Sequence, residues 1–144
     1  MNNENRSAET PAALRIATLA VLIAVTAVFT YMIRIPVAPT RGYINFGDVA
    51  VFFTAITFGP VTALISGGLG TALADIISGY AQWAPFSFLA HGLQGLVVAL
   101  VVRQARFHFV PLALGFLAGT VVMGGIYFLT GGFMVGFPAA ATEI

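Results

Sequence analysis

Few side chains in this sequence form directional hydrogen bonds, and several of those that do stand close to aromatic residues. His91 and Gln94 are three positions apart, so on a helix they share one face. Trp83 precedes them, and Asn45 and Asp48 lie in an earlier segment. Aromatic rings supply flat apolar contact, while Asn, Gln and His supply donors and acceptors. This set favours binding of a flat heteroaromatic molecule that carries several polar groups.

Each of these residues also has a structural interpretation. Asp48 stands just before an apolar run, where it either caps a helix or contacts a substrate. His91 and Gln94 either bond to a carbonyl of a neighbouring helix or, clustered with Tyr80 and the residues above, contact a ligand. Tyr127 is either an anchor at the membrane interface or a ring that stacks on that ligand.

Catalytic and metal-binding chemistry finds little support. The chain has no cysteine, which excludes thiolate metal sites and cysteine nucleophiles. It has no lysine, which excludes Schiff-base chemistry, and no His-Glu cluster. We therefore expect no enzyme activity, no metal site and no cofactor. An intramembrane carboxylate needs a partner, so Asp75 is expected to pair with Arg34 or Arg41, with a proton relay as the alternative.

Composition places these residues in a membrane. Hydrophobic residues make up 59% of the 144 residues and charged residues 8%, whereas soluble domains have about 45–50% and about 25%. So few charges cannot cover a surface that faces water. The net charge of +1 gives no signal for nucleic acid. The prediction is an all-α integral membrane helical bundle, surrounded by the lipid bilayer.

Uncharged stretches define the helices, because a span needs roughly 20 apolar residues. Residues 1–11 form a polar tail, and residues 12–144 form one transmembrane domain. The stretches are Ile16–Ile33, Val49–Ala74, Phe86–Val102 and Phe107–Ala141. The last is too long for one span and is expected to break near Gly131-Gly132 or Pro138.

The Gly59-Pro60 pair decides the topology. It has the order of a helix stop followed by a proline-led restart, so Val49–Asp75 is either one kinked span or a hairpin of two helices. We favour the hairpin with a cytoplasmic N-terminus, because most arginines then lie inside. The long loops, rich in Pro, Gly and aromatic residues, then share the outer face and predict a pocket open to that side. These loops are Arg34–Gly47, Ser78–Pro85 and about Thr130–Pro138.

Small residues recur at helical spacing. Ala13, Ala17, Ala20, Ala24 and Ala27 are spaced 4, 3, 4 and 3 and lie on one face of the first helix. Since small residues permit close helix approach in lipid, this face either packs inside the bundle or docks a separate membrane protein. Two further stripes, on the third helix, are expected to pack internally. They are Ser66, Gly70, Ala74 and Ser78, and Gly59, Ala63, Gly67 and Thr71.

Six short segments follow one another in a distinctive order. They are Gly42–Asp48, Phe58–Pro60, Gly70–Asp75, Gly79-Tyr80, Ala84-Pro85 and His91–Gly95. The series resembles the substrate-binding S component of energy-coupling factor (ECF) vitamin transporters, and most closely the riboflavin-type group. The resemblance covers residues 12–144.

The resemblance implies a six-helix protein of the prokaryotic cell membrane with both termini inside. It implies an outer vitamin pocket and ATP-driven uptake through a transmembrane T component and two cytoplasmic ATPases. The alanine-rich face of the first helix would contact the T component, and Tyr43, Asn45, Tyr80 and Trp83 would line the pocket with the start of the fourth helix. Five helices are predicted within the chain, so the sixth is expected to be missing.

Taken together, these observations predict a subunit that captures a small water-soluble vitamin or precursor, riboflavin-like or another heteroaromatic. The predicted substrate-binding residues are Tyr43, Asn45, Asp48, Tyr80, Trp83, His91, Gln94 and Tyr127. Many relatives carry Lys and Glu where this chain has His91 and Gln94, so the resemblance does not fix the ligand. The alternative is a self-sufficient oligomeric carrier or channel without ATPases, although it would need ionisable groups along its path.

Overall fold

The computed structural model describes residues 11–32, 34–37, 42–103 and 108–141. Within these ranges the elements are α1 (Ala12–Met32), β1 (Arg34–Val37), β2 (Gly42–Asn45), α2 (Gly47–Phe58), α3 (Pro60–Ile77), α4 (Ala84–Val102), α5 (Phe109–Val135) and α6 (Phe137–Ala140). The helices α1, α3, α4 and α5 are long and apolar enough to cross a membrane. The predicted helical membrane bundle is confirmed.

A short antiparallel hairpin departs from the all-α prediction. β1 pairs with β2, with Arg34 opposite Asn45 and Val37 opposite Gly42. The predicted Arg34–Gly47 loop therefore contains two ordered strands. Backbone groups near a membrane must find hydrogen-bond partners within the protein, and the ladder between these strands supplies them.

The hairpin of α2 and α3 is confirmed. Gly59 separates the two helices with φ +84°, a left-handed conformation that favours glycine, and Pro60 starts α3. Val51 of α2 packs against Gly67 of α3, where a Cβ would lie 3.2 Å from a Val51 methyl. The two helices therefore run side by side and do not form one kinked span.

The shortness of α2 shapes the upper part of the bundle. Its 12 residues give a length of about 18 Å, against a hydrocarbon core of about 30 Å. Measured from the Gly59 turn, α2 reaches just over halfway across. Its first residues therefore lie level with the middle of α4 and not with its start.

The break predicted in the last apolar stretch falls near Pro138, one of its two expected places. The helix α5 runs through Gly131-Gly132 without interruption and ends at Val135, and the following Gly136 has φ +92°. The prediction of a loop from about Thr130 is wrong, because the backbone stays helical to Val135. Glycines are tolerated inside an apolar membrane helix, since leaving the helix would expose backbone groups to lipid.

The centre of the bundle is α3, which contacts α1, α2 and α4 through small residues. A Cβ at Gly70 would lie 2.5 Å from the Thr26 Cβ of α1, and one at Gly95 would lie 3.1 Å from the Ala63 Cβ. The predicted internal role of both small-residue stripes on α3 is confirmed, as most of their members are buried. Close backbone approach of this kind holds membrane helices together.

The alanine stripe of α1 divides in two. Ala13, Ala17, Ala20 and Ala24 are exposed, whereas Ala27 is buried inside the bundle. Including Ala27 in a docking face is therefore wrong, because α1 packs on this chain's own helices at that level. The four remaining alanines form an exposed face of small residues.

Candidate functional site

One face of α4 carries the polar residues of the site. Ser87, His91 and Gln94 follow at helical spacing and are 3%, 3% and 0% exposed. The helix begins at Ala84-Pro85, and proline is favoured in a first helical turn because its missing N–H is not needed there. Trp83 lies directly before this turn. The expectation that His91 and Gln94 face inward is confirmed.

A carboxylate from α2 reaches this face. Asp48 Oδ1 lies 3.0 Å from Nδ1 of His91, and the same nitrogen lies 3.0 Å from Oε1 of Gln94. The short α2 explains the contact, because its first turn ends beside the middle of α4. Three polar side chains from two helices thus meet at one imidazole nitrogen.

The capping role predicted for Asp48 is wrong. The N-cap of α2 is Phe46, and no side-chain capping hydrogen bond is found there among the described residues. The helix starts one residue earlier than Asp48, so the carboxylate lies inside the first turn and is directed across to α4. Its negative charge near the helix N-terminus remains favourable there.

Aromatic rings cover the cluster. Tyr127 of α5 has its ring centroid 5.8 Å from that of His91 in an edge-to-face arrangement, and 6.4 Å from that of Trp83. Its hydroxyl lies 2.7 Å from Oγ of Ser87. These distances join α4 and α5 and place the Tyr127 ring against His91, with Trp83 next to the same ring.

Two polar atoms of the cluster lack hydrogen-bond partners among the described residues. They are Nε2 of Gln94 and Oδ1 of Asp48. Oδ1 is close to the His91 nitrogen but accepts no hydrogen bond of good geometry. A buried polar atom without a partner is costly, so native proteins keep few of them, often at functional sites.

The other predicted site residues are placed to different degrees. Tyr80 lies in the turn before α4 and is half exposed. Tyr43 and Asn45 belong to β2, and their side chains lie outside the described residues, as do those of Arg34 and Arg41, the two partners predicted for Asp75. Asp75 itself is partly buried near the end of α3.

Sequence reasoning missed Ser87. Its Oγ contacts Tyr127, and its carbonyl accepts a 3.2 Å hydrogen bond from the Thr71 hydroxyl of α3. The spacing of Trp83, Ser87, His91 and Gln94 is 4, 4 and 3, which already places Ser87 on the same face. Serine is common in membrane helices, so the type of residue alone gave no signal.

The polar side chains and the aromatic ring of this cluster are able to bind a ligand through hydrogen bonds and flat apolar contact. Within the ranges that the structure describes, no group of three or more His, Asp or Glu side chains is placed to hold a metal ion. A separate cavity of about 490 Å³ lies beside the Gly59-Pro60 turn and Arg103, at the opposite end of α2 from Asp48. It is lined mainly by apolar residues and shares none of the polar cluster.

Comparison with known proteins adds to the geometry. A family model described as "ECF-type riboflavin transporter, S component" matches residues 12–144. An uncharacterised protein of Pyrococcus woesei is 39% identical over 96 residues, which are 67% of this chain and 64% of that protein. The thiamine precursor transporter HmpT of Lactococcus lactis is 32% identical over 127 residues, 88% of this chain and 72% of its own.

A third group of relatives is more distant. A UPF0397 protein of Streptococcus pneumoniae is 35% identical over 75 residues, 52% of this chain and 41% of that protein. The chain thus spans less than two thirds of the length of the Pyrococcus and Streptococcus proteins. With four apolar helices long enough to span a bilayer and the family model covering residues 12–144, the chain belongs to the riboflavin-type S component family of ECF transporters, multi-pass proteins of the prokaryotic plasma membrane.

Proposed function

We propose that this chain is the substrate-binding subunit of an ECF-type importer and captures a small water-soluble vitamin or precursor at the outer face of the membrane. The observation that carries the proposal is the cluster of partly buried Asp48 with buried His91 and Gln94, which the Tyr127 ring meets edge-on with Trp83 next to it. Polar atoms that converge among aromatic rings are typical of sites for flat heterocycles.

Two kinds of vitamin are supported. The description of the family model names riboflavin, and HmpT is named as a thiamine precursor transporter. Both are heteroaromatic and water-soluble, and both match the chemistry of the cluster. We therefore propose a heteroaromatic vitamin or precursor as the substrate class, with riboflavin and the pyrimidine and thiazole halves of thiamine as the first compounds to test.

The short α2 supports an opening on the outer side. Its 12 residues begin at Gly47, so beyond Asp48 this helix fills no space between the longer helices. With a cytoplasmic N-terminus, α1 ends outside and α4 begins outside. Trp83 and Tyr80 then lie at the outer rim, where a molecule from the surroundings arrives first.

The partners in this proposal are a transmembrane T component and two cytoplasmic ATPases. Support comes from the exposed face of Ala13, Ala17, Ala20 and Ala24, since small residues let a second protein approach the α1 backbone closely. ATP hydrolysis by the partners would drive release and uptake. The described residues of this chain act in capture and docking.

The direct test is ligand binding by detergent-purified protein. Trp83 is the single tryptophan of the chain, so its fluorescence reports on the site. We expect quenching by a vitamin of the proposed class, and an affinity at least about tenfold lower in Trp83→Ala and Asn45→Ala, measured by equilibrium dialysis. The control is Phe109→Ala, which removes an exposed ring from the other end of the bundle.

The results that would overturn the proposal are plain. If no compound of the class binds, or if both site variants bind as tightly as the unaltered chain, the site is not a vitamin site. Uptake by the protein reconstituted into vesicles without any ATPase would instead favour the self-sufficient carrier.

A further inference from the structure

The buried carboxamide of Gln94 carries information about the ligand. It is fully buried, its Oε1 contacts His91, and its Nε2 has no hydrogen-bond partner among the described residues. Nitrogen and oxygen of an amide are told apart by their hydrogen bonds, so the neighbours must show which atom is which.

The contacts of His91 show which of its ring nitrogens carries a proton. Asp48 Oδ1 and Gln94 Oε1 both lie 3.0 Å from Nδ1. An ionised carboxylate only accepts hydrogen bonds, and an unprotonated ring nitrogen at this distance would set two lone pairs against each other. Nδ1 therefore carries the proton, whether the imidazole is neutral or charged.

The protonated Nδ1 in turn determines the orientation of the Gln94 carboxamide. A protonated Nδ1 repels the NH₂ group of Gln94 and attracts its oxygen. Oε1 therefore faces His91, and Nε2 faces away as a buried donor. The orphan donor is thus a consequence of the carboxylate on α2 and not of an arbitrary amide orientation.

An acceptor lies close to this donor. Asp48 Oδ1 is also without a good hydrogen bond, and it contacts the same His91 nitrogen as the Gln94 carboxamide. The two unsatisfied atoms thus belong to side chains that both lie 3.0 Å from one imidazole nitrogen, which brings them into one cluster. The Tyr127 ring lies edge-on to His91, and Trp83 lies next to Tyr127.

We propose that the site recognises heterocycles by one edge that carries both an acceptor and a donor, the acceptor receiving the Gln94 Nε2 hydrogen and the donor binding the Asp48 carboxylate. This inference rests on the proposed function and names its substrate class more closely. An amidine edge (ring N beside C–NH₂) and a lactam edge (C=O beside N–H) both qualify. A ring with acceptors alone leaves Asp48 unsatisfied, and one with donors alone leaves Gln94 unsatisfied.

Three flat two-ring probes separate the contribution of the edge acceptor from that of the edge donor. 4-Aminoquinazoline has both groups on one edge, 4-methylquinazoline lacks the donor, and 1-aminonaphthalene lacks the acceptor. Leaving a buried polar atom unpaired reduces affinity by about tenfold or more. We expect 4-aminoquinazoline to quench Trp83 with at least about tenfold higher affinity than either other probe, and quinazolin-4(3H)-one to bind comparably to it.

The variants assign each preference to one residue. In Gln94→Leu the advantage of 4-aminoquinazoline over 1-aminonaphthalene should vanish, while its advantage over 4-methylquinazoline remains. Asp48→Ala should show the opposite pattern. Gln82→Leu is the matched control, because Gln82 is exposed in the turn before α4, and both preferences should persist in it.

The outcomes separate this inference from the proposed function. If riboflavin or a thiamine half binds but the probes bind equally or not at all, or if Gln94→Leu keeps every preference, the edge recognition is wrong and the vitamin site stands. If neither the vitamins nor the probes bind, the proposed function itself fails.

Discussion

The hydroxyls of Ser87 and Tyr127 lie 2.7 Å apart and join α4 to α5 one helical turn before His91. The same Tyr127 ring meets the His91 ring edge-on. One tyrosine therefore holds a helix contact and a wall of the candidate site at once. Packing and binding are coupled at this residue, which makes it a sensitive probe of both.

The first prediction concerns this pair. Tyr127→Phe and Ser87→Ala should each lower stability by about 1 kcal/mol, since each removes one partly buried hydrogen bond. The double variant should be little worse than either single one, because both remove the same bond. Thermal unfolding in detergent measures all three. Strictly additive effects would show that the two hydroxyls do not interact.

A second prediction concerns the contact of α1 with α3. Gly70→Ala should destabilise the fold by about 1–3 kcal/mol, because the new methyl group would overlap with Thr26. Gly125→Ala is the matched control, since no described atom lies within 4 Å of a Cβ there. It should stabilise by about 0.5–1 kcal/mol through the better helix propensity of alanine. Equal effects of the two changes on the unfolding temperature would contradict this packing.

The third prediction concerns the exposed alanine face of α1. Ala20→Leu should leave folding and vitamin binding unchanged but abolish co-purification with the T component and ATPases, because the larger side chain keeps two helix backbones apart. Ala113→Leu, an equally exposed change on α5, should preserve the complex. Loss of the complex in both variants, or in neither, would exclude this face as the docking surface.

A fourth prediction concerns the Asp48–His91 contact. His91→Ala should destabilise by about 2 kcal/mol or more, because it opens a cavity and leaves a partly buried carboxylate without its partner. Asp48→Asn should have a smaller effect, since an amide of nearly the same size fills the same space and leaves no unpaired buried charge. Chemical denaturation in detergent micelles compares the two. The idea of a pairing contact is wrong if Asp48→Asn is the more damaging change.

Much of the architecture was readable from the sequence. The apolar stretches gave the spanning helices, and Gly59-Pro60 gave the hairpin, because a glycine stop and a proline start act locally. The inward orientation of His91 and Gln94 followed from the high energy of polar groups in lipid. These inferences need only a residue and its nearest neighbours along the chain.

The remaining features depend on contacts between distant residues. That Asp48 meets His91 and does not cap α2 depends on where α2 begins and how far it reaches. The role of Ser87 depends on Tyr127, forty positions away. The pairing of β1 with β2 depends on the register between the strands, and the sequence of a proline-rich segment gives no indication of that register. Spacing along one helix indicates a shared face but not what lies opposite.

The orphan amide of Gln94 also has a thermodynamic consequence. Its Nε2 is a buried donor with no partner among the described residues, so a ligand that supplies an acceptor should stabilise the fold. Natural proteins commonly retain such a loss of folding stability where their activity requires it. The thermal unfolding temperature should therefore rise sharply when the protein is saturated with its natural ligand. A thermal-shift screen across metabolites would identify that ligand by its stabilising effect alone.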